Sequence, residues 1–275
     1  MMIGSRLRAL SLGLVAGATL ATSPGPFGPG TALAESALLL PYPTSYKVFP
    51  ASTYDKKGKR LGAAELSLER LDGGGVRIGI QCGAESGART VAHAELGPAA
   101  GGSGLRLLRE QSQSYDERGR PLVLLRIDHA NGKATCTPPP GAKGDRIEVD
   151  LPSGERIANV PLNLLFLPLV EGEVDELEFQ YFLCRGGAKV VNFRARLAHS
   201  TAGRNGRRVI EVHYGPDLNQ FVSWLARALT PDLAFWFEVG DETHYLAHRM
   251  PLYSKGPEVM IVRDDFSLAS LGVLR

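Results

Sequence analysis

Apolar and polar residues alternate in short runs along most of the chain, and Gly, Asn, Asp or Pro interrupts them every ten to twenty residues. Two runs show the pattern best. In 174–184, Leu177, Phe179, Tyr181 and Leu183 share one face, and Glu176, Glu178 and Gln180 share the other. In 189–197, Val191, Phe193, Ala195 and Leu197 oppose Asn192, Arg194 and Arg196. A period of two predicts strands. The turn residues between runs, such as Asp55-Lys56-Lys57-Gly58, Asp72-Gly73-Gly74-Gly75 and Asn131-Gly132, tolerate the positive φ that tight hairpins need. Together they predict an antiparallel meander, with no βαβ units.

Folding 174–197 about Gly186-Gly187 places Glu176 and Glu178 opposite or diagonal to Arg194 and Arg196. Such cross-strand pairs contribute about 0.2–1 kcal/mol each. The acidic and basic runs of this region then form a solvated face; the alternative is a headgroup- or partner-binding patch around Arg204, Arg207 and Arg208. Two turns look alike, "YDKKGKRL" (Tyr54–Leu61) and "YDERGRPL" (Tyr115–Leu122). Their flanks differ, so they read as one hairpin solution used twice, not as a domain repeat.

Two stretches leave the strand pattern. Leu218–Leu229 carries Leu218, Phe221, Val222, Leu225 and Leu229 at helical spacing, with Asp217 and Gln220 placed for a capping box and Pro231 as a stop. "ANVPLNLLFLPLV" (Ala158–Val170) has Asn163 as its only polar side chain from Val160 onward. It is too short for a bilayer, which needs about 20 apolar residues. Pro161 suits a helix start and Pro168 a stop, leaving at most two turns. It reads as a short, stiff plug, sealing a core or covering a ligand.

The N-terminus changes the picture of where the chain goes. Arg6 and Arg8 precede an apolar run from Ala9 to Ala21, and Ala32-Leu33-Ala34 makes a small-x-small cleavage site, with a second one ending at Ala21. This predicts a secretory signal over 1–34, a linker over 35–45 and one domain over 46–275, located in the periplasm or outside the cell. No transmembrane span is expected. The whole chain holds 31 basic and 29 acidic residues, and Arg6 and Arg8 fall in the signal, so the mature chain is neutral. A general affinity for nucleic acid needs an excess of Lys and Arg and is not expected. In an oxidising compartment, at most one disulfide forms among Cys82, Cys136 and Cys184; their spacing does not select the pair.

Catalytic motifs are missing: there is no P-loop, G-x-S-x-G, H-E-x-x-H or dinucleotide fingerprint. His244 and His248, four apart, can share one face of a helix or strand, with Asp241 and Glu242 nearby; they are metal candidates without a fixed third ligand, and otherwise ordinary strand histidines. No cofactor is expected. The aromatic residues carry more information: Phe179, Tyr181 and Phe193 share hairpin faces, and Phe221, Trp224, Phe235, Trp236 and Phe237 lie on or after the predicted helix.

The segments "DLPSGERIANVPLNLLFLPLV", "LTPDLAFWFE" and "HRMPLYSKGPEVMIVR" resemble an uncharacterised family of exported bacterial proteins of the domain-of-unknown-function 3108 type, related to the outer-membrane lipoprotein-carrier fold. The likeness runs from about Tyr46 to Arg263. Where that family has Gly before its "Ply" motif, Met250 stands here. The resemblance implies a mainly β fold: a curved antiparallel sheet, an incomplete β-barrel, covered by one or two short helices around a hydrophobic cavity. The lining expected for a lipid or other apolar ligand is Leu164, Leu165, Phe166, Phe179, Tyr181, Val191, Phe193, Phe221 and Trp224. The leading expectation is a non-enzymatic envelope protein binding such a ligand. A structural or interaction protein with a packed core is the second expectation, and an envelope hydrolase the third.

Overall fold

The computed structural model describes residues 38–142, 144–151, 156–184, 187–202, 207–217 and 233–271. Its strands are β1 (Leu39–Leu40), β2 (Val48–Tyr54), β3 (Arg60–Arg70), β4 (Val76–Gly83), β5 (Arg89–Pro98), β6 (Leu105–Tyr115), β7 (Pro121–Asp128), β8 (Lys133–Thr137) and β9 (Ile147–Asp150). After two short helices, α1 (Leu162–Leu165) and α2 (Leu167–Val170), come β10 (Glu176–Leu183), β11 (Lys189–Ala202), β12 (Arg208–Pro216), β13 (Leu233–Val239), β14 (Thr243–Pro251) and β15 (Glu258–Arg263). The predicted helix over 218–229 lies outside the described residues.

All ladders are antiparallel and form one sheet, ordered β10-β11-β12-β13-β14-β15-β2-β3-β4-β5-β6-β7-β8-β9, with β1 added to β6. It is a meander with a single long-range step, the β15–β2 pairing that sets Met260 opposite Tyr54. Register irregularities at Thr53/Tyr54, Glu95/Leu96, Gln113/Tyr115, Leu197/His199 and Trp236/Phe237 bend the strands. An extra residue in one strand increases local twist and coils a sheet. The sheet does not close by direct pairing of its end strands, β9 and β10.

The β10–β11 hairpin has the register its sequence predicts. Glu176 faces Arg196, and Glu178 faces Arg194. Arg194 bridges Glu176 at 3.1 Å, Glu178 at 3.0 Å and Asp217 at 3.1 Å. Leu197 differs from expectation: it is 46% exposed, one residue beyond the point where the ladder with β10 ends at Arg196. In the basic run that follows, Arg207 bonds Glu238 at 2.8 Å, which commits it to a cross-strand pair; Arg204 lies outside the described residues. Leu39–Leu40 falls in the stretch expected to be a linker, yet it pairs with β6, and Leu40 is buried.

The concave face holds the main core. Leu66, Leu68, Ile78, Ala94 and Leu96 from the N-terminal half and Phe179, Phe193, Val212, Phe235 and Phe237 from the C-terminal half meet there around α1 and α2. On the opposite face Trp236 packs with Val209, Leu246 and Met260 under the C-terminal turn at Leu271. Among the described residues no helix is long and apolar enough to cross a membrane.

Candidate ligand face and its seam

The plug starts at the seam between the two ends of the sheet. Residues 156–160 run parallel to β10, with Ile157 bridged to Gln180. The Ala158 N–H donates to the Gln180 carbonyl, and the Gln180 N–H donates to the Arg156 carbonyl. One position on, the Asn159 side chain stands in for a strand: its amide nitrogen donates to the Phe182 carbonyl at 2.8 Å, and its amide oxygen accepts the Phe182 N–H at 2.9 Å. From the other side, the buried Glu110 carboxylate on β6 accepts the backbone N–H groups of Asn159 at 2.8 Å and Val160 at 2.6 Å. Its second oxygen lies 2.9 Å from His129 Nε2. The structure pairs Cys136 at the end of β8 with Cys184 just after β10, and leaves Cys82 as a buried free thiol that burial pushes up to about 12. A small cluster of Leu125, Ile127, Cys136, Ile157 and Phe182 fills the seam.

From Pro161 the chain turns onto the concave face. Leu165 and Phe166 donate to the Pro161 and Leu162 carbonyls, forming α1; Val170 and Glu171 donate to the Phe166 and Leu167 carbonyls, forming α2. Pro168 does not stop the helical run, as its sequence context suggested, but sits in the first turn of α2. A first-turn residue has no helical acceptor for its N–H, so proline is tolerated there. The segment lies inside the sheet's concavity. Phe166 is fully buried, with ring centroids 5.9 Å from Phe179, 5.4 Å from Tyr214 and 5.3 Å from Phe235. Edge and tilted ring pairs add about 0.5–1.5 kcal/mol beyond area burial.

Seven of the expected lining residues therefore meet on one face: Leu164, Leu165, Phe166, Phe179, Tyr181, Val191 and Phe193 all belong to this cluster. Phe221 and Trp224 lie outside the described residues. The expectation omitted Tyr214, Phe235, Phe237 and Tyr245, which complete the face. The alternation in "FWFE" was the available signal, since it separates Phe235 and Phe237 from Trp236.

The face is dry in its middle and, among the described residues, less fully buried at one end. Tyr181, Val191, Tyr214 and Leu233 pack against the core but stay half-buried. All four lie toward the strand ends where β10 and β12 finish and β11 and β13 begin. The packing around Tyr181, more than its residual exposure, sets its titration: desolvation first, then the Glu110 carboxylate, raises its phenol to about 12. Tyr214 is also raised well above the ordinary tyrosine value, chiefly by burial. Both rings are neutral at any ordinary pH. At the other end a cavity of about 40 Å³ is lined by Phe49, Leu66, Asn163, Leu164, Tyr245 and Arg263, among others. That is room for about one water molecule, too little for an acyl chain. The Asn163 amide oxygen is buried there without a hydrogen-bond partner among the described residues.

The metal candidates do not converge. His244 faces Glu238 across the ladder and His248 faces Phe235, and the irregularity at Trp236/Phe237 puts them on opposite sides of the sheet. In a regular strand a spacing of four keeps one face; one extra residue reverses it. His244 approaches Glu242 at 3.7 Å on the outside. Inside, His248 stacks on Phe235 at 5.1 Å and its Nδ1 lies 2.5 Å from the Tyr245 hydroxyl. Burial lowers His248 to about 3, so the ring is neutral and shares a hydrogen bond between its Nδ1 and the Tyr245 hydroxyl. Among the described residues no group of three or more His, Cys, Asp or Glu is placed to hold a metal. The same separation removes the His244, His248, Asp241 and Glu242 constellation considered for hydrolysis.

No family model matches the chain, and a search of curated proteins finds no match. Among solved structures, the chain is similar to the crystal structure of a β-barrel-like protein of domain of unknown function DUF1849 from Brucella abortus. The TM-score is 0.41 at 12% identity, covering 83% of this chain and 97% of that one.

Proposed function

We propose that the protein is exported and binds a lipid or other apolar ligand, without catalysing a reaction, at the half-buried end of the half-barrel's concave face. The observation that supports this most is the half-buried set Tyr181, Val191, Tyr214 and Leu233, continuous with a closed aromatic core. Such a surface offers apolar contact area with few polar groups, as small-molecule sites do. Phe193 and Phe166 form the floor, and the plug limits how deep a ligand can lie. The signal-like N-terminus and the resemblance to exported proteins support the location. Uptake of a fluorescent fatty-acid probe tests the reading. Binding is expected, with at least a tenfold loss on Tyr214→Asp or Val191→Asp. No uptake, or uptake that both variants leave unchanged, contradicts it.

A second reading has its own support. Phe166, Leu169 and Val170 seal the middle of the concave face completely. This favours a structural or interaction protein with a packed core, which shows a cooperative melt that lipid does not move.

A further inference from the structure

The two look-alike turns share one atomic solution. Asp55 Oδ1 accepts the backbone N–H groups of Lys57 and Lys59, and Asp116 Oδ1 accepts those of Arg118 and Arg120. Gly58 and Gly119 close them at φ 78° and 70°. Each turn thus commits its aspartate to main-chain amides and leaves basic side chains on the tip.

These tips lie at one end of the sheet, beside one another. Glu85 in the β4–β5 turn donates its N–H to the Leu61 carbonyl, and a Cβ on Gly62 would come 2.6 Å from the Gly83 carbonyl oxygen, so only glycine permits that approach. Gly87 of the same turn packs against Glu117 and Gly119. The β14–β15 turn joins them through Thr90, whose hydroxyl donates to the Leu252 carbonyl, and through Lys56, 3.4 Å from Glu258. Several cations of this end are already engaged: Arg120 with Asp116, Lys56 with Glu258, Arg60 with Ser52, and Arg89 over the Tyr115 ring. Lys57, Lys59, Arg118 and Lys255 are exposed and have no carboxylate partner among the described residues. The far end carries exposed Asp72, Glu173, Asp175 and Asp241 beside exposed Arg70, Arg77, Arg106 and Lys133, of which Arg77 pairs with Glu95 and Lys133 with Glu148. On a chain whose formal net charge is only +2, loop-tip lysines thus gather at the hairpin end and acidic loop residues at the far end.

We propose that the basic hairpin end is a docking surface for an anionic lipid bilayer. The free cations stand on separate tips spread over one end, not along a groove, and so suit a broad sheet of headgroups. Glu85 and Glu117 between them lower the attraction for a single polyanionic strand. Cations near an anionic membrane surface each contribute to binding, and salt screens the effect within about 8–10 Å. The polarity orients the molecule, with the acidic end away from the membrane. The half-exposed Tyr181, Val191 and Tyr214 lie at the docked end. The docking itself rests on charge alone and needs no bound ligand.

Co-sedimentation with phosphatidylcholine vesicles containing about a third phosphatidylglycerol tests this at low salt. The full chain should bind these vesicles, release them at about 1 M salt, and ignore pure phosphatidylcholine. Lys57→Gln/Lys59→Gln/Arg118→Gln/Lys255→Gln should lower partition about a hundredfold. The turns keep their main-chain hydrogen bonds in that variant, and an unchanged melting temperature shows that it is folded. Arg70→Gln/Arg77→Gln/Arg106→Gln/Lys133→Gln, the same charge loss at the far end, should change partition less than threefold. Absent binding, equal binding to neutral vesicles, or equal loss in both variants overturns the proposal. Capture of polyglutamate without capture of vesicles also overturns it, by assigning the end to an acidic polymer.

Discussion

Asn159 and Phe182 complete the half-barrel where its strands do not. The Asn159 amide supplies both the acceptor and the donor that a neighbouring strand would offer the Phe182 backbone. Phe182 is fully buried, so its backbone groups have no water to turn to. Leaving a buried polar group unpaired costs about 1–3 kcal/mol. Asn159→Ala should therefore destabilise the protein by about 2–4 kcal/mol. Asn159→Asp, which keeps an acceptor and loses the donor, should fall below wild type as well. Urea midpoints at constant m-value measure both, and an Ala variant within about 0.5 kcal/mol of wild type removes the seam from the account of stability.

The Cys136–Cys184 bridge crosses the same seam and closes a sequence separation of 48 residues. The chain-entropy model gives about 4 kcal/mol for a loop of that size. Cys136→Ser/Cys184→Ser should lower the melting temperature markedly, and reductant should do the same to wild type but not to the double variant. Cys82→Ser should leave the response to reductant unchanged, because Cys82 is a buried thiol outside the bridge.

Phe166 anchors the plug by touching Phe179, Tyr214 and Phe235. Truncating a buried phenylalanine costs about 3–5 kcal/mol. Phe166→Ala should fall in that range, while Val191→Ala at the half-buried end should cost less than about 1.5 kcal/mol. Chemical denaturation orders the two. The reverse order contradicts the division into a sealed middle and a half-buried end.

His248 makes stability depend on acid. Its folded value is lowered to about 3 from 6.5, so the unfolded chain takes up a proton that the folded protein refuses. The stability held by the neutral ring is complete above pH 6.5 and is lost as the pH falls toward about 3. Within that window the slope is at most about 1.4 kcal/mol per pH unit from this group. His248→Phe should flatten the pH dependence of the urea midpoint below pH 6.5. An unchanged slope places the acid sensitivity in other groups.

Local pairings were legible in the chain, and long-range ones were not. The β10–β11 register follows from period-two alternation and opposite charges, both contained in one short segment. The common solution of the two D-x-x-G turns was equally local. The pairing of β15 with β2 leaves no mark in either strand, because any two apolar strands satisfy the same alternation. The bulge beside Leu246 was also hidden, and it alone separates His244 from His248. Pro168 was ambiguous for a physical reason: a missing N–H suits a helix start as well as the residue after a helix end. For the ligand face, the hairpin aromatics and the plug were recognisable, whereas Tyr214 and Tyr245 sit in segments whose alternation is weaker. Asn159 and Glu110 carry the seam, and their roles depend on contacts across 49 positions of sequence.

Native mass spectrometry of gently purified, full-length protein tests the central proposal most directly. A fraction carrying an added mass of lipid size is predicted, together with its loss on Tyr214→Asp in a variant that still melts cooperatively. A clean apo mass that stays unchanged after incubation with fatty acids and phospholipids contradicts ligand binding and leaves the packed-core reading in its place.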